Sequence, residues 1–399
     1  MPVLRSIRER FAAERPLEGV TVAACLHVTA ETANLVRALV AGGARTALCA
    51  ANPLSTQDDV AVALARRHGA EVHAARGEDA DAYAAHVRTL VGLRPDVTLD
   101  DGADLVSAVH LLAPDHAPRM RGAMEETTTG LLRLRQMAAE GRLRCPVLAV
   151  NECWAERMLN DRFGTGQSVL DGILRATHLL LAGRTVVVLG YGWTGRGVAL
   201  RARGAGASVV VCEVEPMRAL EARMEGFEVL PSLRAAERGD VFITVTGSTG
   251  VLRGEHFERM KDGAVLANAG HFDVEIDLDA LRAAATGGVR EVLPLVEAYD
   301  LGDRRLNLLA RGRVVNLAAA LGHPAEVMDV SFATQALCVE DLVRSDREGD
   351  RRAPGVHAVP DAIDGEVARL KLAALGVELD RPTPEQAAYR NSWGGGERG

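Results

Sequence analysis

The sequence predicts an α/β fold of two doubly wound, Rossmann-like parallel sheets with a small C-terminal segment. Two observations carry that expectation. Short apolar runs alternate with helical segments of about ten residues or more, a spacing that suits parallel strands joined by crossovers. A glycine-rich turn from Gly190 to Gly197 also separates an apolar strand from a helix, the place where such folds receive a dinucleotide. At 399 residues the chain has room for two or three domains, each with its own core.

In the first half the strand runs are Val20–Cys25, Thr46–Ala51, Glu71–Ala75, Val97–Leu99 and Pro146–Val150. Helical segments at Thr32–Val40, Asp58–Arg67 and Asp79–Leu93 separate them, which makes one doubly wound unit. Ser168–Ala182 reads as an amphipathic helix with Val169, Leu170, Ile173, Leu174 and Thr177 on one face. The β-branched run Thr185–Leu189 follows, and Ser208–Cys212, Asp240–Val245 and Ala264–Ala267 repeat the strand signal, giving a second α/β unit. Gly394–Gly399 reads as a frayed tail.

Composition narrows the function classes. Hydrophobic residues make up 48% and charged residues 25%, an ordinary globular profile. The formal net charge of -8 gives no basic footprint, so nucleic acid is not an expected partner. No stretch approaches the roughly 18 uncharged apolar residues of a membrane span, and Met1–Arg15 is charged throughout, so a cytoplasmic protein is expected. Cys25, Cys49, Cys145, Cys153, Cys212 and Cys338 show no C-x-x-C spacing, which reads as buried thiols and no metal site. Lys261 and Lys371 are the only lysines, leaving chemistry that needs an amine with almost no candidates.

The run G-Y-G-W-T-G-R-G is the strongest motif. Gly190 permits the tight turn, Gly192 lets the backbone approach a pyrophosphate, and Gly195 packs helix on strand, with Thr194 inside the turn. Glu213 ends the next strand, where it can accept hydrogen bonds from the ribose hydroxyls of NAD and would repel the phosphate of NADP. NAD is therefore the expected cofactor.

A polar cluster stands at the strand ends of the first half: His27 with Thr29 and Glu31, Ser55, Asp100-Asp101, and Glu125-Glu126 followed by Thr127, Thr128 and Thr129. Open parallel sheets place their ligand crevice at such positions, although Thr29 and Ser55 taken alone also read as helix caps. His271 and His323 add two titratable rings among small residues.

These stretches resemble the S-adenosyl-L-homocysteine hydrolase family from about Gly19 to about Tyr389. The runs that carry the likeness are A-C-L-H-V-T-A-E-T, N-P-L-S-T-Q-D-D, L-D-D-G-A-D-L, E-E-T-T-T-G, G-H-F-D-V-E-I-D and N-L-A-A-A-L-G-H-P. The resemblance implies a substrate domain for an adenine nucleoside (1–151 plus 324–360), a hinge (152–166) and an NAD-binding domain (167–323). It also implies a C-terminal oligomerisation segment and tail (361–399), hence a homodimer or homotetramer. Its chemistry would be a redox cycle. NAD takes hydride from C3′ of the sugar, the ketone acidifies the C4′ proton, a base removes it, and the 5′ substituent leaves.

By resemblance Thr29 and Glu31 contact adenine, with Leu317 and His323 closing on the base and Ser55 on the substrate side. His27 and Asp101 are the acid/base groups, Glu126 and Thr127 orient the sugar, and His271 closes over the 5′ side. Thr246, Asn268, Asn316 and Glu213, with Thr127, Thr128 and Thr129, belong to the NAD shell. The chain departs from the family at one pair: Glu156 stands where the resemblance puts a lysine and Asn160 where it puts an aspartate. Asp161 follows in place of an asparagine, and Asn391-Ser392-Trp393 with a glycine tail replaces a basic, tyrosine-containing terminus.

The expectation from this departure is that Glu156 takes over activation of the sugar hydroxyl, held by Asn160 and Arg157. The activity expected is that of an adenine-nucleoside lyase that releases the 4′,5′-unsaturated product, similar to the 5′-dehydratase step of angustmycin-type nucleoside antibiotic pathways. The alternatives are hydrolysis of adenosylhomocysteine with a rearranged base, and a regulator that binds NAD without turnover.

Overall fold

The computed structural model describes residues 1–390, which form two sheets with a hydrophobic cluster on each face. The first sheet begins with β1 (Thr21–Leu26), β2 (Arg45–Ala50), β3 (Glu71–His73), β4 (Val97–Asp100), β5 (Gly122–Glu125) and β6 (Pro146–Ala149). The second holds β7 (Thr185–Leu189), β8 (Ser208–Cys212), β9 (Glu228–Val229), β10 (Val241–Thr244), β11 (Ala264–Asn268), β12 (Gly288–Leu293), β13 (Val296–Asp300) and β14 (Arg305–Leu309). The chain then returns, and β15 (Gly355–Ala358) pairs with β6 at the edge of the first sheet.

The strand orders are β15-β6-β5-β4-β1-β2-β3 and β12-β13-β14-β11-β10-β7-β8-β9. All pairings of the first sheet are parallel; in the second, β13 alone runs against its neighbours. Two doubly wound α/β sheets are thus present, as the sequence predicts. The central strands read as unbroken apolar runs because both of their faces are covered. In β7, for example, Val186 and Val188 join one cluster while Val187 and Leu189 join the other.

Strand order also decides where a ligand enters. The order reverses at β1, whose neighbours are β4 and β2, and again at β7, whose neighbours are β10 and β8. Chains leave such a strand pair in opposite directions and open a crevice beyond the carboxyl ends. His27 and Asp101 stand past β1 and β4, and Gly190 and Thr246 stand past β7 and β10. Both crevices open into the same cavity.

Further helices cover the first sheet beyond the alternation of runs. The helix Pro2–Glu14 buries Val3, Leu4, Ile7 and Phe11, and its Val3 and Leu4 amides donate to the buried Asp329 carboxylate at 3.2 and 2.9 Å. Asp329 belongs to the long helix Ala325–Arg347, which covers the first sheet. The expected helix Ser168–Ala182 runs instead over Gly166–Thr177, because His178 turns left-handed (φ 53°) and ends it although the apolar pattern continues.

The two sheets are joined through Glu156–Thr165, a π-helix that runs directly into Gly166–Thr177. It lies backbone to backbone on the helix Trp193–Gly204: a Cβ at Gly197 would sit 1.8 Å from the Arg162 carbonyl oxygen. Wide i→i+5 turns of this kind are rare and favour functional sites. The expected tail residues Asn391, Ser392, Trp393 and Gly394–Gly399 lie outside the described residues.

Candidate active site

A cavity of about 1380 Å³ opens between the sheets. One wall is made by the strand ends of the first sheet. Cys25 pairs with Asp100, and Asp100 with Glu125, so β1, β4 and β5 end level and present His27, Asp101 and Glu126 side by side. The Asp101 amide donates to the Cys25 carbonyl (3.1 Å) and the Glu126 amide to that of Asp100 (3.0 Å), which holds the three residues in step.

His27 and Asp101 form an ion pair, Nε2 to Oδ2 at 3.1 Å. On the far side of the ring Nδ1 lies 2.6 Å from Ser55 Oγ, whose hydroxyl donates to the Asn52 carbonyl at 2.8 Å. Ser55 has therefore spent its proton and accepts from Nδ1–H, which settles that tautomeric position. Burial alone would lower the His27 pKa, but the charge and hydrogen bond of Asp101 together with the Glu126 charge outweigh it, and the ring is raised above its ordinary value. Asp101, against burial, is held below the usual carboxylate range by His27, His271 and His323.

The carboxyl groups beside this pair behave in the opposite way. Burial and the Asp101 charge push Glu126 up to about 7. Asp161, on the π-helix and facing the cavity, is pushed to about 7 by burial, with Arg157 pulling it down. Asp100 and Glu125 are raised by burial too, but they serve the walls. Asp100 accepts from the Leu105 amide (2.7 Å), and Glu125 accepts from the Gly102 amide (2.9 Å) and from the Thr127 amide and hydroxyl (2.8 and 2.7 Å). His323, bonded to Thr165 Oγ1 at 2.9 Å, is driven down to about 4 by burial and the charge of His27.

The other wall is the fingerprint. Gly190 adopts φ 108°, and a Cβ on Gly195 would lie 2.1 Å from the Gly190 carbonyl oxygen. Gly192 differs: its Cβ would meet only the Arg218 guanidinium, at 3.9 Å, so that face is open toward the cavity. Glu213 is anchored by the Tyr191, Val214 and Glu215 amides at 2.7, 2.7 and 3.0 Å. Asn316 is buried and lines the cavity with its Oδ1 unpartnered. An open glycine face at a helix start, an anchored acid one strand over and an orphaned amide oxygen together fit a bound dinucleotide.

The cavity gathers Thr29, Glu31, Thr127, Thr128, Thr129, Thr194, Thr246, His271 and Leu317 from the expected set, with the residues just described. Thr29 also caps the helix Ala30–Ala41, as its alternative reading implied. Four expected residues stand behind the wall. Ser55 touches His27 rather than the cavity; Gly195 is packed under the turn; and Asn268 is consumed by its loop, donating to the Gly270, Phe272 and Gly312 carbonyls. The fourth is Glu156, which is fully buried, with Oε2 accepting from Asn160 Nδ2 at 2.6 Å. Its neighbours Asn160, Asp161 and Arg157 reach the cavity, and Glu156 does not. Direct contact between Glu156 and a sugar hydroxyl, expected from the sequence, is not what this placement offers.

Some contributors carried no signal in the sequence. Glu275 accepts from the Thr246 amide and hydroxyl (2.9 and 2.8 Å) and the Gly247 amide (2.9 Å), fixing the loop after β10. Asn151 takes the Thr128 hydroxyl at 2.9 Å, and Trp154 meets Trp193 of the fingerprint edge-on at 5.5 Å.

Comparison with known proteins agrees with this geometry. Residues 1–116 match the family model described as S-adenosyl-L-homocysteine hydrolase, and residues 161–322 match the NAD binding domain of the same family. An adenosylhomocysteinase of Aquifex aeolicus is 56% identical over 394 residues, 98% of this chain and 93% of that protein. The chain belongs to the S-adenosyl-L-homocysteine hydrolase family. An S-inosyl-L-homocysteine hydrolase of Methanopyrus kandleri is 54% identical over 394 residues, covering 98% and 92% of the two chains. A Gloeobacter violaceus adenosylhomocysteinase is 52% identical, with 98% and 91% covered. As a member of the S-adenosyl-L-homocysteine hydrolase family, the chain is an enzyme and carries that family's NAD-binding domain.

Proposed function

We propose that the protein is an NAD-dependent lyase that eliminates the 5′ substituent of an adenine nucleoside and releases the 4′,5′-unsaturated product. The observation that carries this reading is a contrast: the His27–Asp101 ion pair is intact, while a buried Glu156–Asn160 pair stands where the resemblance puts lysine and aspartate. The elimination machinery is kept and the sugar side is altered, so the sugar or its leaving group is where the substrate differs from that of the relatives. In this reading 1–151 with 324–360 binds the nucleoside, 152–166 is the hinge, and 167–323 binds the dinucleotide.

Gly190, Gly192, Thr194, Glu213, Thr246 and Asn316 would hold the dinucleotide, which would supply a reversible hydride acceptor. Beside the resulting ketone a C4′–H becomes acidic enough for an ordinary side chain to remove. Asp101 accepts that proton, and the His27 imidazolium gives one to the leaving 5′ atom. Ser55 keeps the ring aimed, and His271 covers the 5′ side from the opposite wall. Thr29 and Glu31 read the base, with Leu317 and His323 closing over it.

A second reading, complete hydrolysis, has support in the names of relatives at 52–56% identity over almost the whole chain. Mass spectrometry of the products from S-adenosylhomocysteine, adenosine and its C2′-branched ketose analogue separates the two. The lyase yields a nucleoside lighter by one water than adenosine or the ketose, whereas adenosine formed stoichiometrically with homocysteine would establish the hydrolase. No turnover of any of them, in protein carrying NAD, would favour a regulator.

A further inference from the structure

Glu156 is the least explained group beside the cavity. It is fully buried, its Oε1 makes no hydrogen bond, and its Oε2 is occupied by the Asn160 amide. A bare carboxylate oxygen in such a place would carry its full desolvation penalty. The nearby hydroxyl is that of Ser331, on the long helix Ala325–Arg347. Its hydroxyl donates to Glu126 Oε1 at 3.2 Å, and it stands near Glu156 without a hydrogen bond to Oε1. A hydroxyl has one proton to give. With that proton given to Glu126, among the described residues the neutral Asn160 amide is the one donor bonded to Glu156, which is too little to support a buried charge.

We propose that Glu156 is a neutral positioning residue that leaves the Ser331 proton to Glu126, and that Glu126 is the carboxylate that takes the proton of the substrate's sugar hydroxyl. The inference rests on the elimination reading for its chemistry, while the protonation of Glu156 stands independently of it. The sugar O–H bond breaks toward Glu126. The electron pair left on oxygen becomes the second bond of the ketone as hydride leaves the same carbon for the dinucleotide. No amine is required, in a chain whose only lysines, Lys261 and Lys371, pair with Asp240 and Asp329.

Burial and the acidic neighbours favour the neutral form, against the smaller downward pull of Ser331 and Asn160. Glu126 faces Glu156 from the end of β5, Asp161 lies on its own helix, and the Cys153 and Cys338 thiols, both pushed up by burial, adjoin it. No cation is among these neighbours, and burial with the Glu126 charge raises Glu156 well above the carboxylate range. Glu126 has His27 on its other flank and opens to the cavity, so of the two carboxyls it is the one that ionises near neutrality.

The test uses the full chain with NAD and compares wild type with Glu156→Gln. A native proton retained above the ordinary carboxylate pKa favours folding at low pH, and that advantage is lost as pH rises toward the native value. The glutamine variant has no such proton. Its melting temperature should gain on wild type by at least about 2 °C between pH 5 and pH 8. An unchanged gap would show Glu156 ionised and overturn the inference.

The pH dependence of the NADH absorbance transient on mixing with nucleoside supplies the second readout. Its acid limb should have a midpoint near 7, where Glu126 ionises. Glu156→Gln should leave that midpoint within about 0.3 unit, and Ser331→Ala should raise it by about one unit by removing a donor to the carboxylate. A fall of a unit or more in Glu156→Gln, or no shift in Ser331→Ala, would contradict the arrangement. If wild type gave no transient with any of the three nucleosides, the elimination reading would fail, and the melting data would still decide the state of Glu156.

Discussion

The His27–Asp101 and Glu156–Asn160 pairs both stand beside the same carboxylate, Glu126, yet they hold opposite states of charge. Burial penalises charge in both. What differs is the partner. An imidazole can take a proton and face Asp101 as a cation, so both members of that pair stay ionised. An amide has no charge to offer, so the carboxyl beside Asn160 keeps its proton. On the proposed reading, an acid where the resemblance puts an amine inverts the electrostatics of the sugar side and leaves the acid/base pair intact.

The comparison breaks most sharply at Asp101. Asp101→Asn leaves the ring without its counter-charge and without a proton acceptor, and should slow product formation by about 10² to 10⁴-fold. NADH should still accumulate on mixing, because the oxidised sugar would form and wait. Equal loss of the transient and of the product would place Asp101 in the oxidation step.

The cofactor wall offers a contrast of its own. Gly192→Ala puts a methyl group into open space where the dinucleotide would lie, and should weaken NAD binding by about 10²-fold, roughly 2.7 kcal/mol, in a protein that melts normally. Gly195→Ala drives a Cβ to 2.1 Å from the Gly190 carbonyl oxygen, so it should lower the melting temperature even without cofactor. Calorimetric titration and thermal melts of both variants check the distinction; identical behaviour would mean that the open face of Gly192 is not the dinucleotide site.

A smaller effect is expected at Ser55. Ser55→Ala removes one hydrogen bond from the imidazolium and should cost about 1.5 kcal/mol, close to tenfold in kcat, with KM little changed. A rise in KM at constant kcat would return Ser55 to the substrate side, where the sequence had suggested it.

The fold and the fingerprint were legible in the sequence because their causes are local. A strand buried on both faces needs an unbroken apolar run, as in Thr185–Leu189, and the turn at Gly190 needs a residue that tolerates φ 108°. The residues His27, Asp101 and Glu126 were found at strand ends, but their common level depends on strand register. Ser55 read as a cap or a substrate contact because nothing in its neighbourhood of sequence shows the ring it supports 28 residues away. The placement of Glu156 was hidden for a different reason. It follows from the π-helix, whose wide turns depend on the close approach of Gly197 to the Arg162 backbone, a contact between segments far apart in the chain. An acid in place of an amine was visible; that it would turn away from the cavity and keep its proton was not.

The central claim is that this protein makes the C4′ proton of an adenine nucleoside removable by oxidising its neighbour and delivers that proton to the His27–Asp101 pair. The most direct test incubates the protein carrying NAD with nucleoside deuterated at C4′ and follows the label by mass spectrometry. Deuterium should be lost to solvent from recovered substrate or product, and Asp101→Asn should retain it even though NADH forms. Retention of the label by wild type while products accumulate would contradict the account, because the 5′ substituent would then be leaving without the C4′ proton ever being touched.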